Sequence, residues 1–422
     1  MKQIAVALFS LYPNKHTSSA VRAFSVLSRW IVVFLLLFLF LAEIFRIYLV
    51  MPLPGSQVNE TVDIAYWLEK HITWIRVVIL LLSSVALIRI LQNGKTWEKF
   101  SFALLLSGYI IVFLVLNFRM AADHKFHQPT TKLFIPASNS IDKSKLVIGV
   151  AINGEAKAYP IQLIGYHHQV IDTVGNEPVI ITYCTVCRTG RVYSSRVNGE
   201  NEVFRLVGMD HFNAVFEDQT TKTWWQQASG KAIAGPLKGA TLKEIPSYQS
   251  SIESWIHRYP NSMVMEPDPL YDEKYFSLED YDKGTMRSEL VKRDIRSWQP
   301  KSWIVGVRNQ SSSMAYDWND LVKKRVIQDS LESLPILVTV ENDSSSFHVY
   351  DRRVNGAVLN FNTKLTDNHF TDNNSGSIWD MNGYCIDGSL KGTQLNSVQA
   401  YNEFWHAWER FEPNTKKHMP KE

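Results

Sequence analysis

The chain has 422 residues, 45% hydrophobic, 20% charged and 12% aromatic, with 20 Gly and 16 Pro, a balance that excludes collagen-like and low-complexity disordered proteins. That length leaves room for two or three domains, each with its own core. A net charge of +3 gives no electrostatic reason for a nucleic-acid partner, and none is expected; three cysteines are too few for a disulfide-stapled scaffold.

The charge is divided along the chain. Residues 1–118 hold ten Lys and Arg against five Asp and Glu, whereas the remainder holds 34 against 36 and contains all three cysteines, Cys184, Cys187 and Cys385. The first part also carries three apolar runs, Trp30–Val50, Ile72–Ile90 and Phe100–Phe118. Each approaches the roughly 20 helical residues needed to cross a bilayer. Glu43 and Arg46 stand i,i+3 near the end of the first run, where they can pair or reach the interface, and Arg76 can snorkel from the second. No cluster of polar groups is expected inside the runs. The first run starts late and has no small-residue cleavage site, unlike a signal peptide.

Flanking charge predicts the orientation, because Lys and Arg are retained on the cytoplasmic side. Residues 1–29 contain Lys2, Lys15, Arg22 and Arg29 and no acid; the first loop is acidic (Glu60, Asp63, Glu69) and the second basic (Arg89, Lys95, Lys99). A cytoplasmic N-terminus of residues 1–29, a three-helix anchor over 30–118 in a bacterial inner membrane, and a large extracytoplasmic part follow. The membrane is the one partner expected from this; a small-molecule or protein partner is left unnamed.

The extracytoplasmic part repeats itself. Shifted by 157 positions, Ile148-Gly149-Val150 meets Val305-Gly306-Val307, Ala158-Tyr159 meets Ala315-Tyr316, and Arg196-Val197-Asn198-Gly199 meets Arg353-Val354-Asn355-Gly356. After small deletions the match resumes with Trp225 on Trp379, Tyr248 on Tyr401 and Trp255 on Trp408. β-rich runs such as VIITY and FHVYDRRV, Asn-Gly turn signals and a closing Trp-bearing helical stretch recur in both copies. The predicted fold class is α+β: three N-terminal transmembrane helices, then two tandem, internally duplicated β-rich domains. Copy one spans 133–265, a polar linker 266–289, and copy two 290–415.

The copies differ where chemistry is concentrated. Cys184 and Cys187 of copy one face Glu341 and Ser344 of copy two, and His167 and His168 face Lys324 and Arg325. Two thiols at this spacing can chelate a metal, form a disulfide or exchange disulfides. Because Arg188-Thr189-Gly190 leads into the strand-like RVYSSRV, the pair is expected on a hairpin tip rather than at a helix start. Cys184 and Cys187 are the candidate redox thiols. The same pair with His167, and more weakly His168 or His211, is the candidate metal set, suited to zinc, iron or copper, with the cofactor otherwise unassigned. A structural disulfide in a non-catalytic binding module is the competing reading. Cys385, Trp225, Trp255, Trp379 and Trp408 are expected in cores, and Asp367–Ser377 as a polar loop lacking the spacing of a calcium site.

The run VIGVAINGEAKAYPIQLIGYHHQVIDTVGNEPVIITYCTVCRTG, with SIWDMNGYCIDGSLKGTQL and FWHAWERFEPNT of copy two, resembles the bacterial DUF3179 domain family over most of residues 133–415. That resemblance implies a domain and no reaction. It places Tyr166-His167 on the family's Trp-His pair, Asp172–Gly175 on its turn and Cys184 and Cys187 on its cysteines. Thr185 stands where the family has Pro and Arg188 where it has Gly.

Overall fold

A computed structural model describes residues 19–366 and 368–419. Residues 1–18, most of the segment expected in the cytoplasm, and Asp367, the first residue of the expected polar loop, lie outside the described residues, as do 420–422. The chain divides into a helical unit ending at His124 and a β-rich unit that runs from Lys125 onward.

The helical unit consists of α1 (Ser19–Val50), α2 (Val62–Asn93) and α3 (Thr96–Leu114), the last continued by a π-helical turn over Val115–Arg119. All three are long and apolar enough to cross a membrane. Their outward residues are large and apolar, with Phe34, Leu41, Trp74, Leu81 and Ile111 more than half exposed. That is the inverse of a soluble bundle and suits a hydrocarbon surrounding.

The inside of this bundle corrects the expectation that the runs hold no polar cluster. Arg76 turns inward and grips Glu43 with two hydrogen bonds, Nε to Oε1 at 2.6 Å and Nη2 to Oε2 at 2.8 Å. Arg46 donates to Glu69 at 2.7 Å and to Asn117 at 2.8 Å, and Asn117 also accepts from Arg76 at 2.9 Å. Glu43 is fully buried. An isolated charge in hydrocarbon is costly, and a fork-to-carboxylate pair on a neighbouring helix removes most of that cost. The partners lie on separate helices, which is why spacing along one run does not reveal them.

The β-rich unit opens its first half with β1 (Leu146–Ile152), β2 (Glu155–Pro160), α4 (Ile161–His167), β3 (Gln169–Val174), β4 (Glu177–Cys184) and β5 (Thr189–Ser194). β6 (Phe204–Asp210) and β7 (Asn213–Asp218) form a hairpin, and β8 (Tyr248–Ser251) with α5 (Ile252–Arg258) returns to pair with β1. The second half runs β9 (Trp303–Arg308), β10 (Ser313–Asp317), α6 (Trp318–Lys324), β11 (Val326–Leu331), β12 (Leu334–Val340) and β13 (Phe347–Asp351), closing with β14 (Ala400–Phe404) and α7 (Trp405–Phe411). Apart from two parallel pairings, Met263–Met265 with β2 and Lys416–Lys417 with β10, neighbouring strands are antiparallel. This is an α+β arrangement of several small sheets.

Local chemistry explains the elements. β-branched residues fill β4 and β12, whose side chains are almost all buried. Gly149 and Gly306 let a tryptophan lie flat on the adjoining strand: a Cβ there would stand 2.3 Å from Trp255 and 2.4 Å from Trp408. Tyr159 donates to Asp172 at 2.7 Å, as Tyr316 does to Asp329 at 3.1 Å, and Tyr193 and Tyr350 each reach a backbone carbonyl across the fold. The segment expected as a linker carries buried Tyr271, Tyr275 and Tyr281.

The helical unit offers a direct test. Glu43→Ala strands Arg76 and is expected to destabilise the detergent-solubilised protein by about 3–5 kcal/mol in thermal unfolding. The double change Glu43→Met/Arg76→Met removes both charges and is expected to recover much of that loss.

Candidate functional site

β4 and β5 pair in register from Val179↔Ser194 to Cys184↔Thr189, leaving Thr185–Arg188 as the turn. Cys184 is therefore the last residue of β4 and Cys187 lies in the turn. Three successive carbonyls of this turn are held from distant parts of the chain. Tyr281 Oη donates to Thr185 O at 2.9 Å, Lys301 Nζ to Val186 O at 2.7 Å, and Phe404 N to Cys187 O at 3.0 Å. Arg188 closes the turn with φ 56°, a left-handed conformation that favours glycine. Its guanidinium lies 3.8 Å from the Trp303 ring centroid and donates to Asn402 at 2.7 Å. Stacking and a buried hydrogen bond thus offset the backbone strain.

Cys184 and Cys187 are fully buried, free and 3.6 Å apart. A disulfide needs about 2.05 Å between sulfurs, so at this separation the two are not joined. Phe212 O lies 3.4 Å from Cys184 Sγ and 3.1 Å from Cys187 Sγ, ready to accept a thiol proton. It is presented by the two-residue turn between β6 and β7, where His211 (φ 50°) and Phe212 (φ 65°) both adopt left-handed backbone. Such turns ordinarily take Asn-Gly. The strain sits directly over the thiols.

Lys301 supplies the positive charge. Besides Val186 O, its ammonium donates to Leu290 O at 2.5 Å and to His406 Nε2 at 3.0 Å, and it lies 4.5 Å from the Phe404 ring centroid. Burial pushes its pKa down to about 8, against the opposing pull of the Cys187 and Cys184 sulfurs. His406, buried beside this ammonium, is pushed down to about 3 and stays neutral, so its Nε2 lone pair serves as acceptor. The two thiols diverge. Burial opposes ionisation of Cys184, but hydrogen bonds from the Cys187 thiol and from the N–H groups of Cys187 and Ala214, with the Lys301 charge, outweigh it and lower its pKa. Burial and the neighbouring Cys184 sulfur push Cys187 well above the ordinary thiol range.

The structure does not bring the predicted histidines to the sulfurs. His167 donates through Nδ1 to His127 O at 2.5 Å and accepts through Nε2 from Tyr275 Oη at 2.6 Å, inside a cluster of Tyr166, Tyr271 and Tyr275. His168 caps α4 with φ 63°, stacks on Phe126 and is pushed by burial down to about 4. His211 belongs to the turn above the thiols, but its ring bonds Asp210 at 2.9 Å and Arg410 at 2.7 Å. Among the described residues no three His, Cys, Asp or Glu side chains form a group that could hold a metal ion. Lys301 and His406 were missed because they stand more than 100 residues from the cysteines in sequence; the only signal was His406 inside the FWHAWERF stretch, which reads as a core helix.

In the second half Glu341 and Ser344 take the sequence positions of the cysteines. Glu341 accepts from Ser254 at 2.5 Å and His348 at 2.6 Å, and Ser344 accepts from Arg325 at 2.9 Å. Cys385 is buried in its own strand, with Sγ 3.3 Å from Asp387 O.

Residues 126–415 match the model of a family described as a protein of unknown function, DUF3179, and the chain belongs to that family. None of the curated proteins and none of the solved structures matches it.

The turn conformation has a measurable consequence. Both Arg188→Gly and Arg188→Ala lose the stacking on Trp303, but only alanine keeps the left-handed strain. Arg188→Gly is therefore expected to be more stable than Arg188→Ala by roughly 1 kcal/mol in denaturant unfolding, the reverse of the usual order in a strand.

Proposed function

We propose that this is a membrane-anchored thiol–disulfide redox protein whose working pair is Cys184 and Cys187. The observation that carries the reading is geometric: two free sulfurs 3.6 Å apart on one turn, whose middle carbonyl, Val186 O, accepts from the Lys301 ammonium. Cys184 is the nucleophile and Cys187 the resolving thiol. The three apolar helices hold the β-rich unit at a membrane, and the basic, acidic, basic order of the flanks argues for a cytoplasmic N-terminus and an extracytoplasmic body, where disulfide chemistry is at home.

The two halves of the β-rich unit are read as copies of one ancestral domain, 133–265 and 290–415, joined through 266–289. The matched sequence positions support this, as do the like-placed Gly–Trp contacts, Tyr–Asp bonds and left-handed residues at His168 and Arg325. On this reading the first copy kept or acquired the thiols and the second serves as their wall.

Cysteine trapping tests the function. With oxidised glutathione, the full-length Cys187→Ser variant is expected to hold a mixed disulfide on Cys184, while wild type releases it and closes the internal disulfide. A protein in which neither cysteine exchanges, and in which Cys184→Ser merely lowers the melting temperature, would be a binding module with a structural staple instead.

A further inference from the structure

Within the β-rich unit a cavity of about 250 Å³ separates two strands, β8 and β13, and is lined among others by Ser247, Tyr248, Gln249, Phe347, His348 and Gln399. β8 is the edge of its sheet, bonded to β1 on one side only. Its Ser251 N–H points away from β1 and donates to Ser346 Oγ at 2.9 Å. Backbone groups alternate in direction along a strand, so Gln249 presents its N–H and C=O on that same open side. β13 is paired with β12, but on its other side Asn396–Ser397 covers only Tyr350 and Asp351. There Val349 O accepts from Val398 N at 2.8 Å, and the alternation turns the backbone of Phe347 the same way. Among the described residues no hydrogen bond crosses the cavity to the backbone of Gln249 or Phe347, although both residues are more than nine-tenths buried. Buried backbone groups are almost always paired, so two facing rails of this kind are matched to a ligand with the same groups.

The chain supplies one such group itself. On the open side of β8 the next residue, Ser247, is already occupied by the Gln399 side-chain amide. Its Oε1 accepts from Ser247 N at 3.0 Å and its Nε2 donates to Ser247 O at 3.1 Å. Those are the two bonds that an added strand makes to an edge residue, here made by a single amide. His348 adds a polar contact: Glu341 holds its Nε2 at 2.6 Å, which leaves Nδ1 as the ring nitrogen for a ligand. The first half has no matching space. The sequence match puts Tyr248 on Tyr401, His348 on Arg191 and Ser345 on Arg188. Arg191 lies 3.4 Å from the Tyr401 ring centroid and Arg188 reaches Asn402 at 2.7 Å, so those long side chains fill their seam. The shorter His348 and Ser345 leave the other one open.

We propose that this slot binds an extended peptide segment of another protein, added as a strand to β8 and facing Phe347 with its far edge. Backbone amides carry the recognition, through Gln249 and Phe347, and a peptide side chain packs on Tyr248. The site is separate from the cysteines and does not depend on their chemistry.

Phage-displayed random peptides, selected on the full-length protein in nanodiscs and counter-selected on His348→Arg, supply the probe. The arginine is expected to fill the slot as Arg191 fills its own seam; should that variant melt well below wild type, Ser345→Arg takes its place as the filler. Each selected peptide is then synthesised and N-methylated one amide at a time. Methylation at alternate residues is expected to weaken binding about tenfold, because each loses a backbone donor at the strand edge, while the intervening positions tolerate it. A selection that enriches no peptide for wild type over the filled variant would overturn the proposal. So would peptides whose binding ignores N-methylation at every position, since side chains alone would then be read.

Discussion

The hydrogen bond from Lys301 to Val186 O ties the chemistry of this protein to its fold. Val186 lies between the two cysteines, so the bond fixes the turn that carries them and sets a positive charge beside them at once. The second half and the segment before it supply Tyr281, Lys301, Phe404 and His406. The site exists only where the halves meet.

That junction is held by unusually buried charge. Arg191 lies with its guanidinium 3.4 Å from the Tyr401 ring centroid and forms an ion pair with Glu403 at 2.5 Å, both side chains almost fully buried. Arg308 joins Glu244 and Glu412 at 3.0 and 2.8 Å on the same side. Buried pairs contribute little net stability compared with apolar packing, yet they penalise any arrangement that separates the partners. Such a network suits a junction that must hold a lysine at a defined place beside two sulfurs. Arg188, stacked on Trp303, extends the same contact into the cysteine turn.

Much of this was legible in the sequence. Three apolar helices followed from run length, and the hairpin with Cys184 at the end of β4 followed from VIITYC leading into RVYSS. The mixed α+β character followed from short alternating runs and paired turn signals. Three-dimensional partnerships were not legible. Arg76 turns in to Glu43 because another helix offers a carboxylate there, which no periodicity within the second run can report. The 17 residues from His167 to Cys184 gave reason to expect the ring beside the sulfurs, but its two nitrogens are occupied by His127 O and Tyr275 Oη. The tyrosines that hold it come from a segment read as linker. Lys301 resembles any other lysine in sequence. Its role depends on which carbonyls surround it and on the lack of an acid among its charge partners.

The central claim is that the Cys187 thiol, the Cys187 and Ala214 N–H groups and the Lys301 ammonium together make Cys184 the more acidic of the two thiols. Ultraviolet absorbance of the thiolate, followed as reduced full-length protein is titrated, measures this directly. One thiol is expected to ionise below the ordinary cysteine pKa of about 8.5, with the transition lost in Cys184→Ser and moved upward in Lys301→Met. Ionisation of both thiols together above that value, unchanged in Lys301→Met, would contradict the account.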